Sequence, residues 1–453
     1  MQMTALEIAE ACGGRILCGD PQTEITSVST DSRKISPGAL FVPIRGERTD
    51  AHAYLSATFA AGAAATLTQN DTEKQDNHVW IAVPDTVEAL RRIAAAYRSR
   101  FTLPVIGVTG SVGKTTTKEM VALALSSRWN TMKTEGNQNS QVGLPLTMFR
   151  LLPEHEVAVI EMGMSDFGEM ARLAQIARPQ YAVMTNIGVS HIQQLGSQEN
   201  ILSEKLHITD AFLPGSILFL NGDDPHLAGL RHRMPAVRKV WFGMAPWCDY
   251  RPEQIERQGD GTRFTAHSPW GSVTVELPVP GAHNVRNALA ALAVTKELGG
   301  DLQEAADALA GYAPLAMRQQ IHRTARGLTV IDDSYNASPD AIYSSLEVLG
   351  GIPGRHVAVL ADMLELGAIE KKAHEEVGLC AARGGVSILV TVGERARWIA
   401  EGAQSYAAPP ACHSFRTNEE ALAFLRASLE PGDVILVKGS RGMHTDEIVK
   451  GLL

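Results

Sequence analysis

The sequence predicts an α/β protein of three domains, with a parallel-sheet domain at the centre and a Rossmann-like domain at the C-terminal end. Three observations carry this. The chain has 453 residues, which at roughly 150 residues per domain corresponds to about three. Two stretches alternate short buried-strand runs with helical patterns, the signature of parallel strands joined by crossover helices. Between the first strand of the central stretch and its helix lies a glycine-rich turn.

Taken in order, residues 1–98 form the first domain and have a short, mixed pattern. A helix is expected over residues 4–12, followed by turns rich in Gly, Ser and Asp. Ser36, Pro37 and Gly38 make a turn ahead of a strand over residues 39–44. Alanine-rich helices follow near 53–65 and 86–98, and residues 101–104 read as a linker. The second domain spans 99–313. Its buried strands are expected at 105–108, 157–160, 182–185 and 217–220. Residues 263–266 and 272–277 resemble hairpin strands inserted late, and a helix over about 284–298 stops at Gly299 and Gly300. The third domain spans 314–453, with buried strands at 328–331, 357–360, 388–392 and 434–437. No internal repeat or low-complexity tract is visible.

Composition narrows the function. Apolar residues make up 45% and charged residues 20%, which excludes disordered and fibrous classes. Forty-one basic against fifty acidic side chains leave a net charge of −9. That field does not suit a nucleic-acid binder, although a local basic pocket for a phosphorylated ligand stays open. Cys12, Cys18, Cys248, Cys380 and Cys412 are odd in number and widely spaced, so free thiols in a reducing compartment are expected. The N-terminal run MQMTALEIAE has no signal-peptide pattern, and no stretch approaches about 18 apolar residues. A soluble, cytoplasmic protein with no membrane partner is expected.

The strongest chemical signal is Thr109, Gly110, Ser111, Val112, Gly113, Lys114, Thr115 and Thr116, between a strand and a helix. Gly110 and Gly113 let the backbone turn so that successive N–H groups face phosphate oxygens, and the helix adds its positive dipole end. Lys114 can reach the β- and γ-phosphates, and the Thr115 hydroxyl can ligate Mg²⁺. Val108 stands where the general P-loop has its first glycine, so the loop is a shorter variant.

Other candidates sit after strands, where parallel sheets bind ligands. Glu161 is either a Mg²⁺ ligand or a solvated carboxylate, and His191 is either functional or a loop histidine. Asn284 and Asn287 share a helix face. Asn284 caps the helix or, with Asn287, meets an adenine edge. Asp332 and Asp333, in the run DDSYN with Tyr335 and Asn336, suit a ribose or a cation. Ser338 and Pro339 then open a helix with a good cap. Lys438 and Arg441, in KGSRGMHTDEI with Ser440, either hold a carboxylate or phosphate or form a solvated charge cluster.

These residues together resemble the Mur ligase family, the ATP-dependent amino-acid-adding enzymes of peptidoglycan synthesis. The resemblance runs through nearly the whole chain in TGSVGKTTT, the EMG at 161–163, NIGVSH, GAHNVRNALAA and the MRQQ at 317–320. The runs DSRKISPGALFVPIRG, GNQNSQVGLP, DDSYNASPDAI, ADMLELG and KGSRGMHTDEI are similar to the members that add D-alanyl-D-alanine. The resemblance implies an N-terminal domain that binds a UDP moiety, a central ATP-binding domain and a C-terminal ligase domain. It implies cell-wall precursor synthesis with ATP and Mg²⁺. D-alanyl-D-alanine would be joined to the terminal carboxylate of UDP-N-acetylmuramoyl-tripeptide through an acyl phosphate, by a monomer.

Residue by residue, it implies that the loop 109–116 cradles phosphate, with Lys114 catalytic, and that Thr115, Glu161, His191 and Lys205 hold Mg²⁺. Lys205 matches the family lysine whose amine is carbamylated, although Glu204 precedes it where the family has Ala, and His207 replaces a Glu. A solvated helix lysine is the other reading. Asn284, Asn287, Arg318 and Asp332 match nucleotide contacts. Ser29, Asp31, Ser32 and Arg33 match the UDP-side loop, and Asn137 and Asn139 match contacts to the peptidyl substrate. Asp333, Tyr335, Asn336, Lys438, Ser440 and Arg441 fall at the expected substrate end. Ser140 stands where many members have Asn, and Ala51 where the family has Gly. A folyl-polyglutamate synthase-like ligase would share the P-loop but not the first domain. A P-loop switch ATPase would hydrolyse ATP without forming an amide.

Overall fold

Thr4 starts the first helix, Ala5–Cys12, with a capping box. Its hydroxyl accepts from Glu7 N, and the Glu7 carboxylate accepts from Thr4 N. Gly13, at φ +67°, ends it. The computed structural model describes residues 1–46, 49–72 and 77–453. They fall into two compact units. One comprises Met1–Thr109, Arg128–Val183 and Glu204–Leu218; the other comprises Gly110–Ser127, Met184–Ser203 and Phe219–Leu453.

In the first unit a five-stranded sheet runs in the order Arg15–Cys18, Val79–Ala82, Ala65–Thr68, Ala39–Phe41, Ser27–Ser29. Only the first pairing is antiparallel. The helix expected over 53–65 is shorter: a 3₁₀ turn Ala51–Tyr54 leads into Leu55–Ala60. Gly62 at φ +106° then turns the chain, and Ala65–Thr68 becomes a fully buried strand. The helix Thr86–Arg98, capped by Asp85, lies where it was expected. Its last residue, Arg98, is buried, with its guanidinium donating to the carbonyls of Ala177, Phe101 and Leu103.

Also in the first unit, Val157–Glu161 lies between Val105–Thr109 and Thr131–Lys133 in a sheet, and Tyr181–Met184 and Ile217–Asn221 are further strands near the expected positions. Val157–Glu161 pairs in parallel with both its neighbours. Every residue of Val105–Thr109 and Val157–Glu161 is buried, as expected of apolar strands covered on both faces.

In the second unit Arg251–Gln258, Gly261–Ser268 and Gly271–Leu277 form an antiparallel sheet. The first of these strands is mostly exposed and carries no buried run. The helix Ala282–Glu297 begins after Gly281, at φ +102°. Asn284 is therefore inside the helix and does not cap it.

The last sheet has the order Gln320–Arg323, Thr329–Asp332, Asp433–Lys438, Arg355–Ala361, Ile388–Val392, Ala411–Phe415, antiparallel only at its first pair. Apolar clusters cover both faces, one built around Ile342, Leu346, Val377 and Leu389, the other around Val330, Val357, Ile435 and Ile448. Each such side chain contributes about 1.5–3 kcal/mol by leaving water. This is the doubly wound arrangement expected of the third domain. Among the described residues, no helix is long and apolar enough to cross a membrane.

Candidate functional site

The glycine-rich loop leaves the strand Val105–Thr109 at Gly110, φ +150°, and enters the helix Lys114–Leu125 after Gly113, φ +84°. A Cβ on Gly110 would run into Thr185 Oγ1, so a side chain there is excluded. The loop is anchored from the segment that follows Met184. Asn186 accepts from Ser111 N at 3.1 Å and Val112 N at 2.8 Å through Oδ1, while Thr185 Oγ1 donates to Val112 O at 2.6 Å. Gly188 N donates to Ser111 Oγ at 2.9 Å. Lys114 Nζ donates to Gly110 O at 2.8 Å and Ser111 O at 3.3 Å. Thr109 and Thr115 are buried, and Thr116 is half-buried. Burial pushes the Tyr312 phenol up to about 12, and its side chain hydrogen-bonds Thr116.

Glu161 ends its strand and is only 1% exposed, so the solvated-carboxylate reading does not hold. Its Oε1 accepts from Asn139 Nδ2 at 2.7 Å, and its backbone N donates to Thr134 Oγ1 at 3.0 Å. Asn139 O accepts from Gly163 N at 2.9 Å. Asn137, two residues away, is exposed. Lys205 lies on the helix Gln198–Leu206 and is 1% exposed, which overturns its reading as a solvated lysine. Glu204 is buried too. Its carboxylate accepts from Gly168 N at 3.0 Å and Met170 N at 2.9 Å, at the start of the helix Glu169–Ala177. His207 faces solvent, where its Nδ1 lies 2.9 Å from Asp210.

In the second unit, His191 takes the left-handed conformation, φ +64°, with Nδ1 3.1 Å from Glu365 Oε2. Asn284 and Asn287 are buried and linked, Nδ2 of Asn287 donating to Oδ1 of Asn284 at 3.3 Å. The Arg318 guanidinium stacks 4.1 Å over the Tyr335 ring. Asp332 Oδ1 accepts from Ser334 N at 3.2 Å and Oγ at 2.5 Å.

Asp333 Oδ2 pairs with Lys438 Nζ at 2.5 Å and accepts from Ser345 Oγ at 2.6 Å, all three buried. Ser440 is buried, and its Oγ accepts from Leu364 N at 2.9 Å. Arg441 and Asn336 are exposed, with Arg441 Nη1 3.4 Å from Asp446 Oδ1. Ser338 occupies the N-cap position, and Pro339 follows, but the Ser338 hydroxyl makes no capping bond.

The first-domain candidates form a surface turn. Ser29 Oγ donates to Asp31 O at 2.9 Å, and Arg33 grips the Asp31 carboxylate with Nε and Nη2, both at 2.9 Å. That grip holds the Asp31 carboxyl down at about 2. Ser32 sits between them, half-buried.

Thus the Gly110–Gly113 turn is brought against Asn186, and Asp332, Asp333, Lys438 and Ser440 gather at adjacent strand ends. Thr185, Asn186, Glu204 and Tyr312 were not foreseen. Asn186 lies inside the NIGVSH run, a signal that pointed to His191 alone.

Comparison with known proteins is consistent along the chain. Residues 24–98 match the family described as "Mur ligase family, catalytic domain", residues 108–295 "Mur ligase middle domain", and residues 317–441 "Mur ligase, glutamate ligase domain". The UDP-N-acetylmuramoyl-tripeptide–D-alanyl-D-alanine ligase of Bacillus subtilis is 37% identical over 459 residues, covering 100% of this chain and 99% of the relative. A crystal structure of MurF from Acinetobacter baumannii superposes with a TM-score of 0.93 at 31% identity, covering 100% and 99% of the two chains. The MurF ligase of Thermotoga maritima, solved in complex with ADP, has a TM-score of 0.84 at 28% identity, covering 94% and 96%. With its glycine-rich loop, its doubly wound C-terminal sheet and end-to-end likeness to these proteins, the chain belongs to the Mur ligase family.

Proposed function

We propose that this Mur ligase joins D-alanyl-D-alanine to the terminal carboxylate of UDP-N-acetylmuramoyl-tripeptide, using ATP. The observation that carries the reading is the full-length likeness to relatives named for that reaction, combined with a phosphate loop anchored by Asn186. The γ-phosphoryl group of ATP passes to a carboxylate oxygen of the tripeptide, and ADP leaves. The amine of D-alanyl-D-alanine then attacks the acyl carbon. The C–N bond forms, the C–O bond to phosphate breaks, and a proton leaves the nitrogen. Such a reaction calls for positioning and cationic stabilisation, with no protein nucleophile.

The residues divide the work as follows. Backbone N–H groups of the loop 109–116 other than those of Ser111 and Val112, which Asn186 holds, bind the phosphates, and Lys114 stabilises charge on the transferring group. Lys114 now bonds carbonyls of its own loop, so nucleotide phosphate replaces those acceptors on binding. By the family resemblance, Thr115, Glu161, His191 and Lys205 as a carbamate would hold Mg²⁺. The hydroxyl and carboxylate oxygens are the hard donors that ion prefers, and Thr115, Glu161 and Lys205 are buried. Bound there, Mg²⁺ would neutralise phosphate charge.

Asn284 and Asn287 meet the base, Asp332 the ribose and Arg318 a phosphate. Residues 1–98 bind the UDP moiety through Ser29, Asp31, Ser32 and Arg33, and residues 99–313 bind ATP. Residues 314–453 receive the dipeptide near Asp333, Tyr335, Asn336, Ser440 and Arg441. Lys438 acts there by fixing Asp333, its partner at 2.5 Å. Asn137 and Asn139 contact the peptidyl substrate. The protein works as a cytoplasmic monomer. Mass spectrometry of a reaction containing ATP, Mg²⁺ and both substrates tests the reading. UDP-N-acetylmuramoyl-pentapeptide is the expected product, and hydrolysed ATP without that product overturns it.

A further inference from the structure

Three buried polar side chains form a chain of hydrogen bonds behind the glycine-rich loop. Thr117 Oγ1 donates to Asn287 Oδ1 at 2.9 Å, Asn287 Nδ2 donates to Asn284 Oδ1 at 3.3 Å, and Asn284 Nδ2 donates to Pro280 O at 2.7 Å. Thr117 is 0% exposed, Asn284 4% and Asn287 7%. The direction of the chain follows from its far end. A carbonyl oxygen can only accept, so Asn284 must turn its NH₂ to Pro280 and its oxygen to Asn287. Asn287 must then turn its NH₂ to Asn284 and its oxygen to Thr117, and Thr117 must donate. Asn287 Oδ1 also lies 3.5 Å from where a Cβ on Gly113 would stand, so this amide packs directly against the loop. One carbonyl before the helix Ala282–Glu297 thus sets the orientation of an amide beside the phosphate loop.

We infer that Thr117 is a positioning residue for nucleotide binding, holding the Asn287 amide in one orientation against the loop through this one-directional chain. The inference rests on the proposed reading in which Asn287 contacts the nucleotide. Without the Thr117 hydroxyl, Asn287 Oδ1 loses its donor, and the amide is held against the loop only from its other end, by the 3.3 Å bond to Asn284. A buried acceptor left without its partner is costly, and binding must first settle an amide anchored at one end alone.

The experiment measures ADP binding by calorimetry with Mg²⁺ present, in the full chain, for Thr117→Val, Thr117→Ser and Asn287→Ala. Thr117→Val replaces the hydroxyl with a methyl of the same shape, and the fitted stoichiometry reports the folded fraction. The expected result is that ADP binds about tenfold more weakly to Thr117→Val and at least as weakly to Asn287→Ala. Thr117→Ser stays within about twofold of wild type, and the KM for D-alanyl-D-alanine is unchanged in both Thr117 variants. If Asn287→Ala weakens binding while Thr117→Val binds like wild type, the positioning role is overturned and the nucleotide contact stands. If Asn287→Ala binds like wild type, the nucleotide-contact reading fails and the positioning role fails with it. Equal loss in Thr117→Ser and Thr117→Val, or a parallel rise in the KM for D-alanyl-D-alanine, would mark a general packing effect and overturn the inference.

Discussion

The ammonium of Lys114 lies 2.8 Å from the carbonyl oxygen of Gly110, folded onto the loop that carries it. The same lysine meets Ser111 O at 3.3 Å. Both acceptors are neutral carbonyls at the rim of a helix N-terminus, a place that favours an anion. The lysine is half-buried and stands outside the apolar clusters of the fold. Lys114→Ala is expected to lower kcat about 10²–10³-fold, the scale of losing one charge stabiliser, while leaving the thermal midpoint near that of wild type. Steady-state kinetics paired with a melting curve checks both parts, and near-normal turnover would remove the loop from the chemistry.

Lys205 supplies a second prediction. In the proposed reading its amine carries a carbamate and offers oxygen to Mg²⁺. Lys205→Ala should lose most activity, and an added short-chain carboxylic acid should restore part of it by filling the vacated position. Lys205→Arg should stay inactive, because a guanidinium cannot become an anion. Wild-type activity in the Arg variant would end the carbamate reading.

Glu204, the neighbour of Lys205, is predicted to act on stability. Its two oxygens accept from Gly168 N and Met170 N in a buried setting, where the dipole of the helix Glu169–Ala177 adds attraction. Glu204→Ala leaves two backbone donors unmet and should cost about 2 kcal/mol. Glu204→Gln keeps one acceptor and should cost less. Chemical denaturation monitored by circular dichroism ranks the three proteins, and equal stability would contradict the assignment.

The fourth prediction concerns pH. His374 is fully buried; its Nε2 accepts from Met363 N at 3.0 Å, and its Nδ1 donates to Glu370 O at 2.7 Å. Burial holds its pKa below the ordinary value. The native state therefore takes up a proton less readily than the unfolded chain. As pH falls through the unfolded value of about 6.5, the unfolded state gains protons first, and stability declines toward the lower native value. The stabilisation is complete above that window. The thermal midpoint should fall between about pH 7.5 and pH 5.5, and it should fall less steeply in His374→Gln. An identical slope in the variant would assign the effect elsewhere.

The parts of the fold legible in the sequence are those with uniform burial. Val105–Thr109, Val157–Glu161 and Asp433–Lys438 are buried at every residue, and their stretches 105–108, 157–160 and 434–437 read as unbroken apolar runs. The edge strands Gln320–Arg323 and Ala411–Phe415 mix exposed and half-buried positions, Thr131–Lys133 buries only Met132, and none of the three forms such a run. Asn284 looked like a cap because it is the kind of residue that caps, yet Gly281 does so, and Asn284 bonds back to Pro280 instead. In the site, Lys114 and Glu161 were visible from their places after strands. The burial of Lys205 was not, because its helix has no marked apolar face to show which side turns inward. Glu204 and Thr117 were invisible for another reason. Each acts through a partner distant in sequence, and only folding brings that partner near.

The measurement that bears most directly on the account is phosphate release from ATP and Mg²⁺ by the purified protein, with each substrate omitted in turn. The ligase reading predicts fast release only when UDP-N-acetylmuramoyl-tripeptide and D-alanyl-D-alanine are both present, with one amide formed per phosphate. Release at the full rate with ATP and Mg²⁺ alone would contradict it and identify the chain as an uncoupled ATPase.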